Sequence, residues 1–137
     1  MIAQTQCTSF KSELYQGVHN LLTDNIYIAL YTASATLDQS TTVYTTTGEV
    51  SDVAYTTGGK LLTGVTVNSS GYTAYVSFNN PSWSGAITAR GALIYNRSKG
   101  NKAIAVLDFG ADKTSTMTFT VTLPANTADS ALIRSSN

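Results

Sequence analysis

The sequence of 137 residues predicts a mainly β fold: a single-domain antiparallel β-sandwich, jelly-roll-like in type, with one N-terminal α-helix. Three observations predict it. Thr and Ser carry much of the polarity that charge usually supplies, and β-branched Thr suits a pleated surface better than a helix. After Gly59 the chain alternates apolar segments with short pieces rich in turn-forming residues. Helical periodicity occurs once, near the N-terminus, so the helical crossovers of a parallel α/β fold are missing. A chain of this length fits one domain with one shared core.

Met1 to Thr8 precede any periodic pattern and read as an N-terminal arm. Phe10, Leu14, Val18, Leu21 and Leu22 then recur at helical spacing, with Lys11, Glu13, Gln16 and Asn20 largely between them. That spacing predicts an amphipathic helix over 8–22, with Thr8 or Ser9 as its cap. Thr23-Asp24-Asn25 breaks the pattern, and Ile26, Ile28 and Leu30 alternate with Tyr27, Ala29 and Tyr31 as a strand does.

From Ser34 to Lys60 the pattern dissolves into Thr, Ser, Asp and Gly, ending at the turn signal Gly58-Gly59. A long irregular excursion in a compact domain is usually functional or disordered, so 34–60 is a candidate for partner contact. Within it Tyr44, Val50, Val53 and Tyr55 are candidate contact residues.

The remainder, 61–137, reads as antiparallel strands: Leu61 to Val67, Tyr72 to Phe78, Ala86 to Tyr95, Lys102 to Phe109 and Met117 to Leu123, with a short last strand over Ala131 to Ile133. Asn68 to Gly71, Asn79 to Ser82, Lys99 to Asn101 and Gly110 to Ser115 separate them. Trp83, just after Pro81, is suited to plugging one end of the sandwich or to anchoring a partner.

Eight basic residues against eight acidic ones build no positive field, so nucleic acid is not an expected partner. The same sparse charge repels neighbouring copies weakly and is compatible with dense packing in an assembly. No apolar run reaches the length of a membrane span and the N-terminus lacks a signal-peptide pattern, so a soluble, cytosolically made chain with no membrane partner is expected. Cys7 is the single cysteine, which excludes an intramolecular disulfide.

No catalytic, cofactor-binding or metal constellation emerges. His19 has no Ser or Cys motif beside it. Asp108-Phe109-Gly110 copies a kinase magnesium motif without the remaining kinase elements, and reads as a strand end entering a turn. Asp108 and Asp112 are more simply loop-stabilising residues than calcium ligands. The expectation is a protein that is not an enzyme and uses no cofactor and no metal.

The runs Ile28-Ala29-Leu30-Tyr31-Thr32-Ala33-Ser34-Ala35-Thr36-Leu37, Tyr44-Thr45-Thr46-Thr47-Gly48-Glu49-Val50 and Tyr55-Thr56-Thr57-Gly58-Gly59-Lys60, followed by Thr88 to Asn96 and Ala105 to Gly110, resemble small virion structural proteins of tailed bacteriophages. The likeness extends in order over nearly the whole chain, and departs at Ser51-Asp52-Val53-Ala54, where a glycine-richer stretch is expected. It implies a particle component made in the bacterial cytoplasm, and transfers no catalytic residues. Capsid decoration on the particle exterior is the favoured place, with the cement-like protein bridging major capsid protein subunits and forming a homo-oligomer in the assembled particle. A neck, tail or tail-fibre-associated protein is the alternative, and a carbohydrate-binding β-sandwich module is one of another class.

Overall fold

A computed structural model describes residues 1–136. The protein is mainly β, with antiparallel sheets and one N-terminal helix. The strands are β1 (Thr5–Gln6), β2 (Ile26–Tyr31), β3 (Lys60–Leu61), β4 (Thr66–Ser70), β5 (Thr73–Ser77), β6 (Ser82–Ser84), β7 (Ile87–Asn96), β8 (Lys102–Ser115), β9 (Thr118–Thr120) and β10 (Ile133–Ser135); helix α1 spans Thr8–Tyr15. They form sheets of five strands (β1-β8-β7-β2-β3), three (β10-β5-β4) and two (β6-β9), none of them closed.

The five-stranded sheet is built on β2, β7 and β8, the chain's most apolar segments. Gly91 to Asn96 and Ala103 to Leu107 are continuously buried, which is how a strand covered on both faces reads. The alternation in β2 sorts those faces. Tyr27 and Tyr31 turn toward the 34–60 excursion, whereas Ile26, Ile28 and Leu30 occupy the alternate face. Gly91 is required where it stands, because a Cβ there would press on the Leu107 carbonyl and on Ile2.

Helix α1 ends seven residues short of the expected 8–22. Gly17, at φ +71°, takes the left-handed position that stops a helix, with Gly17 N–H bonded to Leu14 O and Val18 N–H to Glu13 O, both at 3.1 Å. That paired closure is a Schellman motif, and it outweighs the apolar spacing of Val18, Leu21 and Leu22 beyond it. The N-cap is Cys7, without a side-chain cap bond, rather than Thr8 or Ser9.

Residues 1–8 are not a free arm. Ile2 is buried, Thr5 and Gln6 pair with Val106 and Ala105, and the Met1 ammonium donates to Ala35 O at 2.9 Å. The strand expected over Leu61 to Val67 is broken by Gly64, at φ +66°, into β3 and β4. Conversely, the turn expected at Gly110 to Ser115 does not end β8. The ladder with β7 resumes past an irregularity between Ala89 and Gly91 and continues to Ile87–Ser115, so four β8 residues bulge out without terminating pairing.

Candidate interaction surface and its internal anchors

Residues 34–59 contain no strand or helix, yet they are anchored. Their centre is Glu49, whose carboxylate accepts hydrogen bonds from Tyr44 Oη (2.6 Å), Gly58 N–H (2.8 Å) and Tyr55 Oη. Tyr55 Oη in turn accepts from the Leu30 amide of β2 at 3.1 Å. Tyr31 donates to Thr45 O at 2.5 Å, and Tyr95 to Gly58 O at 2.6 Å. The Tyr44 ring stacks on Tyr95 with centroids 4.7 Å apart. Burial, and then the Glu49 carboxylate, push the Tyr55 and Tyr44 hydroxyls far above the ordinary phenol range, so both stay protonated donors.

This arrangement corrects the reading of the candidate contact residues. Val50 is buried, its amide bonded to Leu30 O at 3.0 Å. Tyr55 is buried, and Tyr44 is half-buried against Tyr95. Trp83 is core: it packs against Tyr55 at 6.2 Å and edge-on to Phe119 at 6.3 Å, beneath the Lys60 ammonium at 5.1 Å. Val50, Tyr55 and Trp83 are thus buried and Tyr44 half-buried, the excursion turning both of its tyrosines onto the sheet it covers. Val53 alone is fully exposed.

Val53 has a neighbour that the apolar pattern did not single out. A Cβ on Gly85 would collide with Ala54, and the Gly85 amide bonds Met117 O at 2.7 Å, so Val53 and Met117 flank Gly85 as exposed apolar side chains. The Asp52 carboxylate fixes this end by accepting from the Thr88 amide at 2.9 Å.

A second anchor lies on the opposite face of β7, where Asn96 follows Tyr95. Asn96 Nδ2 bonds both His19 Nδ1 (2.9 Å) and Asp24 Oδ2 (2.8 Å), and His19 Nε2 meets Glu13 Oε1 at 2.9 Å. With Nδ1 accepting from the amide, the assigned tautomer carries its proton on Nε2 and donates to Glu13. Lys99 Nζ closes on Asp24 at 3.0 Å. Burial pushes the Asp24 carboxyl up, but the Asn20 amide, Asn96 and Lys99 together outweigh it and hold its pKa below the ordinary carboxylate value. His19 is thereby a buried structural member joining α1 to β7.

Elsewhere the reactive groups are committed or masked. Burial, then Asp38 and Glu13, push the Cys7 thiol up to about 12, which keeps it a thiol rather than a nucleophilic thiolate. Asp108 Oδ1 accepts from Gly110 N–H (2.9 Å) and Arg90 Nε (3.2 Å). No grouping of three or more His, Cys, Asp or Glu suited to a metal ion occurs among the described residues.

No family model matches the chain, and no curated protein or solved structure is similar to it.

Charge is unevenly spread along the chain. From Leu61 to Ala89 there is no charged side chain, although this stretch includes β4, all of whose residues are exposed, and the exposed hairpin tip at Tyr72. An outer strand that is exposed along its length and carries no charge lacks the charged side chains that commonly guard a sheet edge.

Proposed function

We propose that the protein is a structural component of a tailed-bacteriophage virion, a decoration protein on the capsid exterior that bridges major capsid protein subunits and stabilises the expanded head. The reading includes the two-layer, jelly-roll-like packing of the sheets expected from the sequence. The observation that carries it is the absence of charged residues from Leu61 to Ala89, a stretch that includes the fully exposed β4, together with the exposed apolar side chains of Val53 and Met117. Uncharged, lightly apolar patches lose little solvation when covered, so many copies can each add a modest contact and sum to a large stabilisation of the shell. The motif order resembling phage virion proteins supports the same assignment.

A carbohydrate-binding module calls for exposed aromatic rings on one face. The two most exposed tyrosines, Tyr15 and Tyr72, lie on separate elements, the end of α1 and the β4–β5 tip. The decisive experiment is the copy number of this protein in purified virions relative to the major capsid protein, by quantitative mass spectrometry. Hundreds of copies are expected. About a dozen would move the protein to the neck or tail, and absence from the particle would overturn the virion assignment.

A further inference from the structure

We infer that two copies of this chain join through β4, edge to edge and antiparallel, about a two-fold axis at Asn68. The inference stands independently of any place in a virion. It begins with the edges of the sheets. The five-stranded sheet ends on β1 and β3, which are two residues each, and β10 carries Arg134; short or charged edges of this kind resist pairing. In contrast β4 is an outer strand of five residues, Thr66-Val67-Asn68-Ser69-Ser70, with no charge, no Pro and no bulge in its register with β5. Its open side presents backbone donors and acceptors that another strand can satisfy.

The occupant follows from what surrounds that edge. An antiparallel copy centred on Asn68 sets Ser70 opposite the copy's Thr66, and so brings the hairpin tip of one copy to the Gly64 end of the other's β4. Tyr72 is the exposed aromatic at the hairpin tip, where Gly71 at φ +58° begins the two-residue turn. Beside Gly64 lies a cleft of about 150 Å³ lined by Thr66, Ser77, Phe78, Asn79 and Asn126, uncharged throughout. Strands pair about 4.8 Å apart, a spacing that a tyrosine side chain spans. Each copy therefore offers a ring at one end of β4 and a receiving cleft at the other, which is the self-complementarity an isologous two-fold interface requires. Neither partner brings a charge to be desolvated.

The test places one residue opposite itself. In the full chain, Asn68→Cys is expected to form a disulfide-linked dimer on mild oxidation at least tenfold faster than Tyr15→Cys, another exposed position, on α1; buried Cys7 does not compete. In sedimentation equilibrium the wild type is expected to dimerise. Asn68→Lys and Asn68→Glu should each weaken the dimer at least tenfold, and an equimolar mixture of the two should restore it. A monomeric wild type would overturn the inference and leave the edge to a strand of another protein. A dimer indifferent to both charges, or equal cross-linking at the two cysteine positions, would overturn it as well.

Discussion

The excursion over 34–60 and the β4–β5 hairpin exchange the roles that regular structure suggests. The excursion has almost no regular structure, yet Glu49, Tyr44, Tyr55 and Tyr95 fasten it to the sheet with side-chain hydrogen bonds and a ring stack. The hairpin has a regular ladder of five paired positions and is exposed along the whole of β4. Backbone pairing alone thus does not mark the rigid part of a small β protein. What fixes a segment is how many of its side chains are desolvated against a second layer, because a satisfied buried polar group is costly to release.

Glu49→Ala gives the largest expected effect and strikes the comparison at its centre. It leaves the Tyr44 and Tyr55 hydroxyls and the Gly58 amide without their acceptor, which should cost about 3 kcal/mol in urea unfolding. Protease cleavage within 34–60 should accelerate by about a hundredfold, as that free energy implies if the excursion opens locally. Unchanged proteolysis would mean that the carboxylate is not what holds it.

The next effect tests the other face. Asp24 has a depressed pKa in the folded state, so its contribution is present above its unfolded pKa of about 3.9 and is lost as pH falls through the folded value. Asp24→Asn should therefore cost about 1 kcal/mol at pH 7. The gap between wild-type and variant melting temperatures should close below about pH 4; a gap that persists in acid would assign the loss to packing instead of charge. Smallest of all is Val67→Thr on β4. With the side chain half exposed, the change in unfolding free energy of the monomer should stay within about 0.5 kcal/mol. A larger loss would place β4 in the cooperative core and erase the contrast.

The legible parts of this fold are those where a local pattern carries the information. Ala86 to Tyr95 and Tyr72 to Phe78 match β7 and β5 within a residue or so, because long apolar runs and tight turns are local signals. Gly17 was a local signal too, but the apolar spacing continued past it and masked the stop. Gly64 split an expected strand in the same way. The anchors were not legible. Asn96 and His19 are 77 positions apart, and Glu49 stands among scattered acids until Tyr44, Tyr55 and the Gly58 amide converge on it. Tyr44, Val50 and Tyr55 carried a real signal, aromatic and apolar residues in an otherwise polar stretch. It marked an inner layer instead of an outer contact, and only Val53 faces outward.

Strand β7 begins at Ile87, beside the Gly85 end that displays Val53 and Met117, and ends at Tyr95 and Asn96, where consecutive side chains enter the two anchors on opposite faces. Ten residues of strand reach about 33 Å. A single strand thus spans from the Gly85 end to both covering layers, and its ladder with β8 is interrupted once on the way, between Ala89 and Gly91.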